Sequence, residues 1–490
     1  MEQHITLSRA ARLAGTTRGE LQKKIRQGDI ATFEGKVALT DLIRVYPEIN
    51  VEKSPTLERM ELFKAAAMPN RKEEVALPSA EVLMSRLSGL TEALIRTRSG
   101  FDQYAELLRT LADRLRELGH NDTADFRSEI LALHDWIKEK LDQSLEAPDA
   151  NTKFFVKDTF LRIMAANIKI IPSGHEFFLE GALTILDASI RAGLTLDYGC
   201  LSGNCGKCKA RIISGSVLKT REHEYLLSER EKKLGYMLMC SNTAVTDLTL
   251  EAAIATKASD LSAKKIRSVV KKIDRLSDNL ILLRLRTPKA KTLRFMAGQN
   301  AVLTISDELS ARHSIASCPC NGQYLLFVIR RIPNDRFTEA VFSELQPGQM
   351  VVINGPEGEF IFDNNSPKPV LFLAQDDGFA PIRSLIEQAI TVDSAESFHL
   401  YWFASQPEGH HQENQCRAWK DALDNFQYTP ITLPSGKDSA SQALVKAIEN
   451  YSDCSGFTAY VTGSQSFVEE VSSLLLGRQL PAEELHVEVI

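Results

Sequence analysis

Residues 197–210 have the sequence DYGCLSGNCGKCKA, which contains three cysteines within nine positions. Cys200, Cys205 and Cys208 follow the spacing C-x4-C-x2-C, and Cys240 comes about thirty residues later. This is the spacing of a 2Fe–2S cluster in which one loop surrounds the cluster and a distant thiolate completes it. Structural zinc usually shows two paired C-x2-C hooks, so a zinc site or unrelated buried thiols are the disfavoured alternatives. The pattern predicts one cluster held by these four cysteines.

The glycines of the same stretch suit such a loop. Gly199, Gly203 and Gly206 lie beside the cysteines. Because glycine has no Cβ, the backbone can curl tightly and direct its N–H groups at the sulfur atoms, which offsets their negative charge.

The flanking sequence predicts a strand, a turn at Ser173–Gly174, a second strand and a helix from about Leu183 to Ala192. Further strands follow the cysteine loop. Residues 166–253 resemble a plant-type ferredoxin in the LDA helix, the GNCGKCKA loop and the GYMLMC closing strand. The resemblance implies a β-grasp domain, to which we assign residues 165–256.

Two patterns follow in the second half of the chain. Residues 265–365 form short alternating segments divided by Gly, Pro, Asn and Asp, which predicts a small antiparallel β-barrel over 263–366. From Pro369 strands alternate with helices, which predicts a doubly wound parallel sheet over 367–490. The fold class expected is therefore multidomain, with α+β and α/β parts.

This domain order resembles the ferredoxin-reductase-like flavoproteins that serve bacterial oxygenases and deoxysugar reductases. The resemblance extends from about residue 166 to the end. Its matching segments are MAGQNAVL (296–303), SIAS (314–317), GPEGEF (355–360), GFAP (378–381) and YVTGS (460–464). It implies that NADH reduces FAD, that single electrons pass to the 2Fe–2S cluster, and that the cluster reduces a partner protein.

The flavin-binding motifs of that family are altered in this chain. The family's Arg-x-Tyr-Ser is replaced by Ala311-Arg312-His313-Ser314, so the arginine is displaced by one residue and turned to the opposite face of a strand. The Gly-x-x-Ser/Thr turn becomes Asp335-Arg336-Phe337-Thr338. The chain ends in Glu488-Val489-Ile490, where relatives often have an aromatic residue. The flavin candidates are Arg312, His313, Ser314 and Thr338. FAD binding and a barrel kept for structure alone both stay open.

The nicotinamide motifs depart further. The Gly-Gly-x-Gly phosphate loop of relatives is Gln375-Asp376-Asp377-Gly378. Like charges about 4 Å apart cost on the order of 4 kcal/mol at an effective dielectric near 20. The later loops are Phe403-Ala404-Ser405 and Thr462-Gly463-Ser464-Gln465 instead of Gly-x-Arg and Cys-Gly-Pro-Pro. We therefore expect NADH and NADPH to bind weakly or not at all. No catalytic residue is assigned.

Four further cysteines carry weaker signals. Cys318 and Cys320 directly follow SIAS and could place a thiol near a flavin, whereas Cys416 and Cys454 lie in helical or loop patterns. Packed or incidental thiols are the preferred interpretation for all four.

The first 50 residues resemble the winged helix-turn-helix of MerR-type regulators and excisionase-like proteins. A hairpin is predicted around Gly35, and a second helix would present Arg18, Gln22, Lys23 and Arg26 on one face. This domain could contact DNA or another protein.

Residues 75–147 predict a helical segment. Apolar residues from Leu83 to Leu118 repeat in heptads, which indicates a coiled-coil seam about 50 Å long. A second amphipathic helix, from about Thr123 to Leu145, could fold back on the first. We expect the seam to form a homodimer, and a hairpin within one chain is the alternative.

Composition and charge limit the classes of function that the chain can have. The chain has 490 residues, of which 25% are charged, and a net charge of −6, so there is no whole-chain case for nucleic-acid or membrane binding. No signal peptide or membrane span is expected, which predicts a cytoplasmic protein. Two functions remain: an electron-transfer oxidoreductase, or a dimeric redox-sensing DNA-binding regulator with a degenerate reductase module.

Overall fold

The computed structural model describes residues 165–490 except 182, 222–225, 289–290, 307, 322, 393–394, 407–408 and 435–436, together with scattered residues before 165. In the described part of the front end, β1 (His4–Thr6), β2 (Thr32–Phe33) and β3 (Lys36–Ala38) form an antiparallel sheet in the order β1-β3-β2. The pairing of β2 with β3 confirms the predicted hairpin around Gly35. The predicted recognition helix and heptad seam lie almost entirely outside the described residues.

The cysteine loop belongs to a five-stranded sheet in the order β5-β4-β10-β6-β8, with β7 and β9 as a separate pair. Its elements are β4 (Ala165–Ile171), β5 (Glu176–Glu180), α1 (Ile185–Arg191), β6 (Lys209–Ser214), β7 (Val217–Lys219), α2 (Glu229–Lys233), β8 (Tyr236–Leu238), β9 (Asn242–Ala244) and β10 (Leu248–Glu251). Thr184 begins α1 because its hydroxyl accepts the Asp187 amide proton at 3.1 Å. The central parallel pair, β4 with β10, gives the predicted β-grasp arrangement.

A six-stranded antiparallel sheet follows in the order β14-β13-β16-β11-β12-β15. Its elements are β11 (Lys264–Ser277), β12 (Leu280–Arg286), β13 (Asn300–Ser306), β14 (Leu309–Ser314), β15 (Tyr324–Arg330), α3 (Arg336–Ser343) and β16 (Met350–Glu357). The Ala316 amide, just beyond β14, donates to the Leu326 carbonyl of β15 at 2.8 Å and brings the two edges together. Alternate residues fill the interior with Ile, Leu, Val and Phe, as the alternating sequence predicts.

The last sheet is entirely parallel, in the order β19-β18-β17-β20-β21. Its elements are β17 (Val370–Gln375), α4 (Phe379–Val392), β18 (Phe398–Ala404), α5 (Glu413–Ala422), β19 (Phe426–Thr432), α6 (Lys437–Ala447), β20 (Thr458–Gly463), α7 (Gln465–Leu476) and β21 (Leu485–Val489). Both faces of the sheet carry a buried apolar layer, so its strands are nearly continuous hydrophobic runs. The strand order reverses between β17 and β20, and ligands of such sheets bind at the carboxyl ends of the strands there.

Helix α4 ties the three parts together. The Ser384 hydroxyl donates to the Ser317 carbonyl of the barrel at 2.7 Å, and the Gln388 side-chain amide donates to the Gly193 carbonyl of the ferredoxin-type domain at 3.0 Å. Of the helices that the structure describes, none has both the length and the apolar character that a membrane crossing requires.

Candidate functional site

The four predicted ligand cysteines converge at one end of the ferredoxin-type domain. Three of them come from the loop between α1 and β6, and Cys240 follows β8. Cys200, Cys208 and Cys240 are buried, whereas Cys205 is exposed. The Cys208 and Cys240 sulfur atoms are 3.2 Å apart, and the Cys205 thiol is hydrogen-bonded to Cys200. The thiols therefore form two pairs.

Glycine shapes this loop as the sequence predicts. Gly203 and Gly206 have φ angles of 83° and 70°, which L side chains rarely adopt. A Cβ atom on Gly199 would lie 3.2 Å from the Cys205 sulfur. The tight path turns backbone amides of Ser202 and Asn204 toward Cys200, and that of Gly203 toward Cys240.

These contacts favour the thiolate form of two of the cysteines, Cys240 and Cys200. The hydrogen bond from Cys208 lowers the pKa of Cys240 to about 6 against the opposing effect of burial, while the pKa of Cys208, the donor, is raised. At Cys200 burial opposes ionisation, but hydrogen bonds from the Ser202 amide and the Cys205 thiol outweigh it and lower the pKa. A cysteine that ionises readily is ready to bind a metal.

The donor set fits a binuclear cluster better than a single ion. Two thiol pairs offer two ligands to each of two irons, and backbone N–H groups are aimed at the sulfurs. Across the described residues, no group of three or more Cys, His, Asp or Glu side chains has the arrangement that one metal ion needs.

Arg312, His313 and Ser314 lie together at the end of β14. Arg312 and His313 pair with Val302 and Ala301 of β13 and point to opposite faces. The Arg312 side chain is about half exposed and lies 3.7 Å from the Glu488 carboxylate, which also accepts a hydrogen bond from the Asn300 side chain at 2.6 Å. The C-terminal strand therefore reaches the predicted flavin site.

His313 is set into the barrel wall. Its ring lies 5.4 Å from that of Phe337, and burial lowers its pKa to about 4, so the imidazole is neutral near pH 7. Its Nε2 atom is buried and has no hydrogen-bond partner among the described residues. The exposed Arg312 guanidinium is suited to bind the pyrophosphate of a flavin, whereas the buried His313 ring lies on the opposite face of the strand.

Thr338 fits a phosphate less well. It is buried, its hydroxyl is hydrogen-bonded to backbone atoms of Ile332, and its amide donates to the Asp335 carboxylate at 2.8 Å. Asp335 is thus the N-cap of α3 and occupies the helix N-terminus with its own negative charge.

The predicted phosphate loop is closed by its own side chains. Asp376 has a φ of 49°, and its carboxylate accepts hydrogen bonds from the Ser405 amide at 2.9 Å and the Ser405 hydroxyl at 2.6 Å. Asp377 accepts one from Arg330 of the barrel at 3.0 Å. These bonds fill the crevice at the ends of β17 and β18 with carboxylates.

The third loop is closed in the same way. The Gln375 side-chain oxygen accepts hydrogen bonds from the Ser464 amide at 3.0 Å and the Ser464 hydroxyl at 2.7 Å. All three altered motifs of the sequence therefore lie at one edge of the sheet, where side chains satisfy the backbone groups that would bind phosphate in relatives.

One sequence interpretation was wrong. Cys318 and Cys320 are not packed thiols but are joined by a disulfide bond. Cys416 and Cys454 are free and fully buried, as expected. The sequence does not reveal this pairing, because packing, and not spacing, decides whether two neighbouring sulfur atoms face each other.

Comparisons with known proteins place these sites in a family. Residues 168–245 match the 2Fe-2S iron-sulfur cluster binding domain, and residues 267–362 match the oxidoreductase FAD-binding domain. CDP-6-deoxy-L-threo-D-glycero-4-hexulose-3-dehydrase reductase of Yersinia pestis is 32% identical over 311 residues, which cover 62% of this chain and 92% of that protein. The chain belongs to the ferredoxin-reductase-like flavoproteins.

Two further relatives have lower sequence identity to the chain. Protein RfbI of Salmonella typhimurium is 27% identical over 328 residues, which cover 66% of this chain and 96% of that protein. Terephthalate 1,2-dioxygenase reductase component 1 of a Comamonas species is 25% identical over 334 residues, which cover 66% of this chain and 97% of that protein.

Membership of this family confirms the predicted electron-transfer function. Like its family, the chain is an electron-transfer protein of the ferredoxin-reductase type with a 2Fe–2S domain and an FAD-binding barrel. The comparisons give no support to the alternative of a DNA-binding regulator. Sequence reasoning missed the roles of Arg330, which binds Asp377 in the crevice, and of Glu488, which lies beside Arg312 at the predicted flavin site. A lone arginine at the end of a strand gave no signal, and Glu488 stood out merely as the loss of an aromatic residue.

Proposed function

We propose that this chain is the reductase component of a two-protein system, which releases electrons singly to a partner protein through a 2Fe–2S cluster on Cys200, Cys205, Cys208 and Cys240. The observation that carries the proposal is the fixed position of the cluster loop on the barrel. Asp197, three residues before Cys200, pairs with Arg294 at 2.5 Å, and the Arg294 guanidinium lies over the Tyr198 ring. This contact links the segment before Cys200 to the barrel that carries the proposed flavin site.

FAD would be held by Arg312, His313 and Ser314 of β14. When bound, it supplies the conversion between two-electron and single-electron transfer. Arg312 would bind the pyrophosphate of FAD in competition with Glu488, while the neutral His313 ring, packed on Phe337, would fix the position of β14 from the other face of the strand. Thr338 contributes through the shape of its loop, because its own polar atoms are already bonded.

NAD(P)H use is impaired in this proposal. Asp376 and Asp377 lie where relatives use glycines, and both are held by hydrogen bonds within the crevice. A dinucleotide would have to displace the Ser405 contacts and place its phosphates beside two carboxylates. Electrons then enter from another donor, or the crevice must open first.

The partner is proposed from the relatives' names. The Yersinia protein is named as the reductase of a CDP-hexulose dehydrase, and the Comamonas protein as the reductase of a dioxygenase. The higher identity to the former, 32% against 25%, favours a sugar dehydrase-type partner. The exposed loop residues Asn204, Cys205 and Lys207 offer the partner a path close to the cluster.

The front end is proposed to be a homodimer scaffold through the seam from Leu83 to Leu118, with DNA or protein contacts through residues 1–50. Light scattering of the full chain and of a chain starting at residue 165 tests this, since only the full chain should dimerise.

Cytoplasmic placement is likewise a proposal, supported by the reduced thiols that cluster assembly needs.

Visible and electron paramagnetic resonance spectra of anaerobically purified protein test the main proposal. We expect cluster absorption with flavin absorption, slow or no bleaching by NADH, and full bleaching by dithionite with a signal from the reduced cluster. A protein without iron, or with iron that dithionite does not reduce, would refute the function.

A further inference from the structure

The disulfide between Cys318 and Cys320 closes a ring around one residue, Pro319. A cross-link removes conformational entropy from the unfolded chain, and this loss grows with the logarithm of the number of residues in the loop that it closes. A bond between residues two apart therefore adds little stability. The peptide chain already holds these two residues together. A chemical role accounts for the bond better than a structural one.

The backbone around this pair is firmly anchored. The Cys318 amide donates to the Glu387 carboxylate of α4 at 2.9 Å, and Glu387 is paired with Arg383 at 3.1 Å. Both members of this ion pair are buried, at 6% and 3% exposure. A hydrogen bond to a buried charge is among the stronger ones in proteins, so the pair is held rigidly between the barrel and α4.

This segment follows the predicted flavin strand and is linked by one side chain to the ferredoxin-type domain. Ser314 of the flavin strand is four residues before Cys318 along the chain. On the other side, the Gln388 oxygen lies 4.0 Å from the Cys318 sulfur, and the Gln388 amide donates to Gly193, in the segment that leads into the cluster loop. The disulfide is therefore in contact with the ferredoxin-type domain through one side chain.

A solvent-open cleft lies beside Pro319, the residue between the two cysteines. Pro319 lines it, together with residues of all three domains that include Thr195, Met296 and His486. Cys318 is buried, whereas Cys320 is half-buried. An accessible sulfur next to a buried one is the arrangement that thiol–disulfide exchange uses, with the accessible thiolate attacking and the buried one resolving.

We propose that Cys318 and Cys320 form a redox-active disulfide that accepts electrons from this chain's own 2Fe–2S cluster and reduces a small organic disulfide in the cleft. The electron supply rests on the proposed function. In the first half, the Cys318–Cys320 bond would accept two electrons, which a bound cluster would supply one at a time, and two protons from solvent, and it would break to give two thiols.

In the second half, the Cys320 thiolate attacks the small disulfide and releases its first thiol, which leaves a mixed disulfide on Cys320. The Cys318 thiolate then attacks the Cys320 sulfur, releases the second thiol and re-forms the original bond. Two protons leave Cys318 and Cys320 and appear on the two product thiols, so atoms and electrons balance.

The test uses the full chain with its cluster, under anaerobic conditions. Alkylation followed by mass spectrometry should label Cys318 and Cys320 after reductive titration and not before it. The titration should consume two more electron equivalents per chain than in Cys318→Ser/Cys320→Ser, with unchanged cluster absorption. With bis(2-hydroxyethyl) disulfide as the probe, Cys320→Ser should lose about tenfold or more of the reduction rate. Cys454→Ser, a buried thiol elsewhere in the chain, should behave like the unmodified protein.

Three results would overturn the inference. These are alkylation of both residues before any reduction, equal electron uptake by the double variant, and an unchanged rate with Cys320→Ser. The alkylation experiment needs no substitution, so it decides the matter even where a variant folds poorly. If the cluster is reduced and the disulfide is not, this inference fails alone. If the cluster itself is not reduced, the proposed function fails with it.

Discussion

Asp376 and Ser405 are joined by two hydrogen bonds across the carboxyl ends of neighbouring parallel strands. One comes from the Ser405 amide, a backbone group of the kind that binds phosphate in nucleotide-binding folds. The chain thus supplies its own anion at this edge of the sheet.

Replacing both Asp376 and Asp377 by glycine should tighten NADH binding by about tenfold or more, because it frees the Ser405 amide and removes two like charges. The φ of 49° at Asp376 is one that glycine adopts freely. Titration of NADH against flavin or protein fluorescence measures the change. The isosteric Asp376→Asn/Asp377→Asn variant separates charge from loop shape. Micromolar binding and fast cluster bleaching by NADH in the unmodified protein would contradict the proposal.

Cys240→Ser should lose most of the visible cluster absorption, since it removes one of four ligands. The unmodified protein should contain about two irons per chain. Iron analysis and absorption spectra measure both. Cys416→Ser, which changes a buried cysteine far from the loop, should keep the spectrum. Stoichiometric zinc in place of iron would show that the cluster assignment is wrong.

Arg294→Gln should slow reduction of the cluster severalfold after the flavin is reduced, because it removes the Asp197 contact that fixes the cluster loop on the barrel. Asp197 is mostly exposed, so the loss of unfolding free energy should stay at about 1 kcal/mol or below. Stopped-flow absorption measures the rate. Arg331→Gln is the matched control, since its pair with Glu339 is exposed and lies within the barrel. Equal rates in both variants would argue against a role for the contact.

The free energy of unfolding should decrease as the pH falls from about 7 to about 4.5. Burial lowers the pKa of His313, His399 and His411 to about 4, below the ordinary 6.5. Between these values the unfolded chain binds protons that the folded chain does not, so unfolding becomes easier, by roughly 1–3 kcal/mol for each histidine. Thermal unfolding at several pH values measures this. His399→Gln should reduce the pH dependence, and an unchanged dependence would refute the contribution of His399.

The cluster ligands were predictable because their information is local. Cys200, Cys205 and Cys208 lie on one loop with glycines that allow its tight path, and Cys240 follows the closing strand β8. Alternation and turn residues predicted the strands of the barrel and the parallel sheet for the same reason.

The closed state of the crevice was not predictable in detail. The sequence showed that Asp376 replaces a glycine, but its partner lies 29 residues away and meets it because β17 and β18 are neighbours. The Gln388–Gly193 contact joins residues 195 positions apart. Such pairings depend on how the domains pack, which no local pattern records.

Helix α4 makes domain exchange between relatives harder than the modular order suggests. Its residues Ser384, Glu387 and Gln388 bind the barrel and the ferredoxin-type domain from successive turns of one face. A chimaera that imports another nucleotide-type domain would carry a foreign helix into both interfaces at once. Inserting one residue in α4 would rotate that face by about 100° and uncouple all three contacts together. Protein engineers who exchange electron donors in this scaffold should therefore transplant α4 with its two partner segments, or leave it in place.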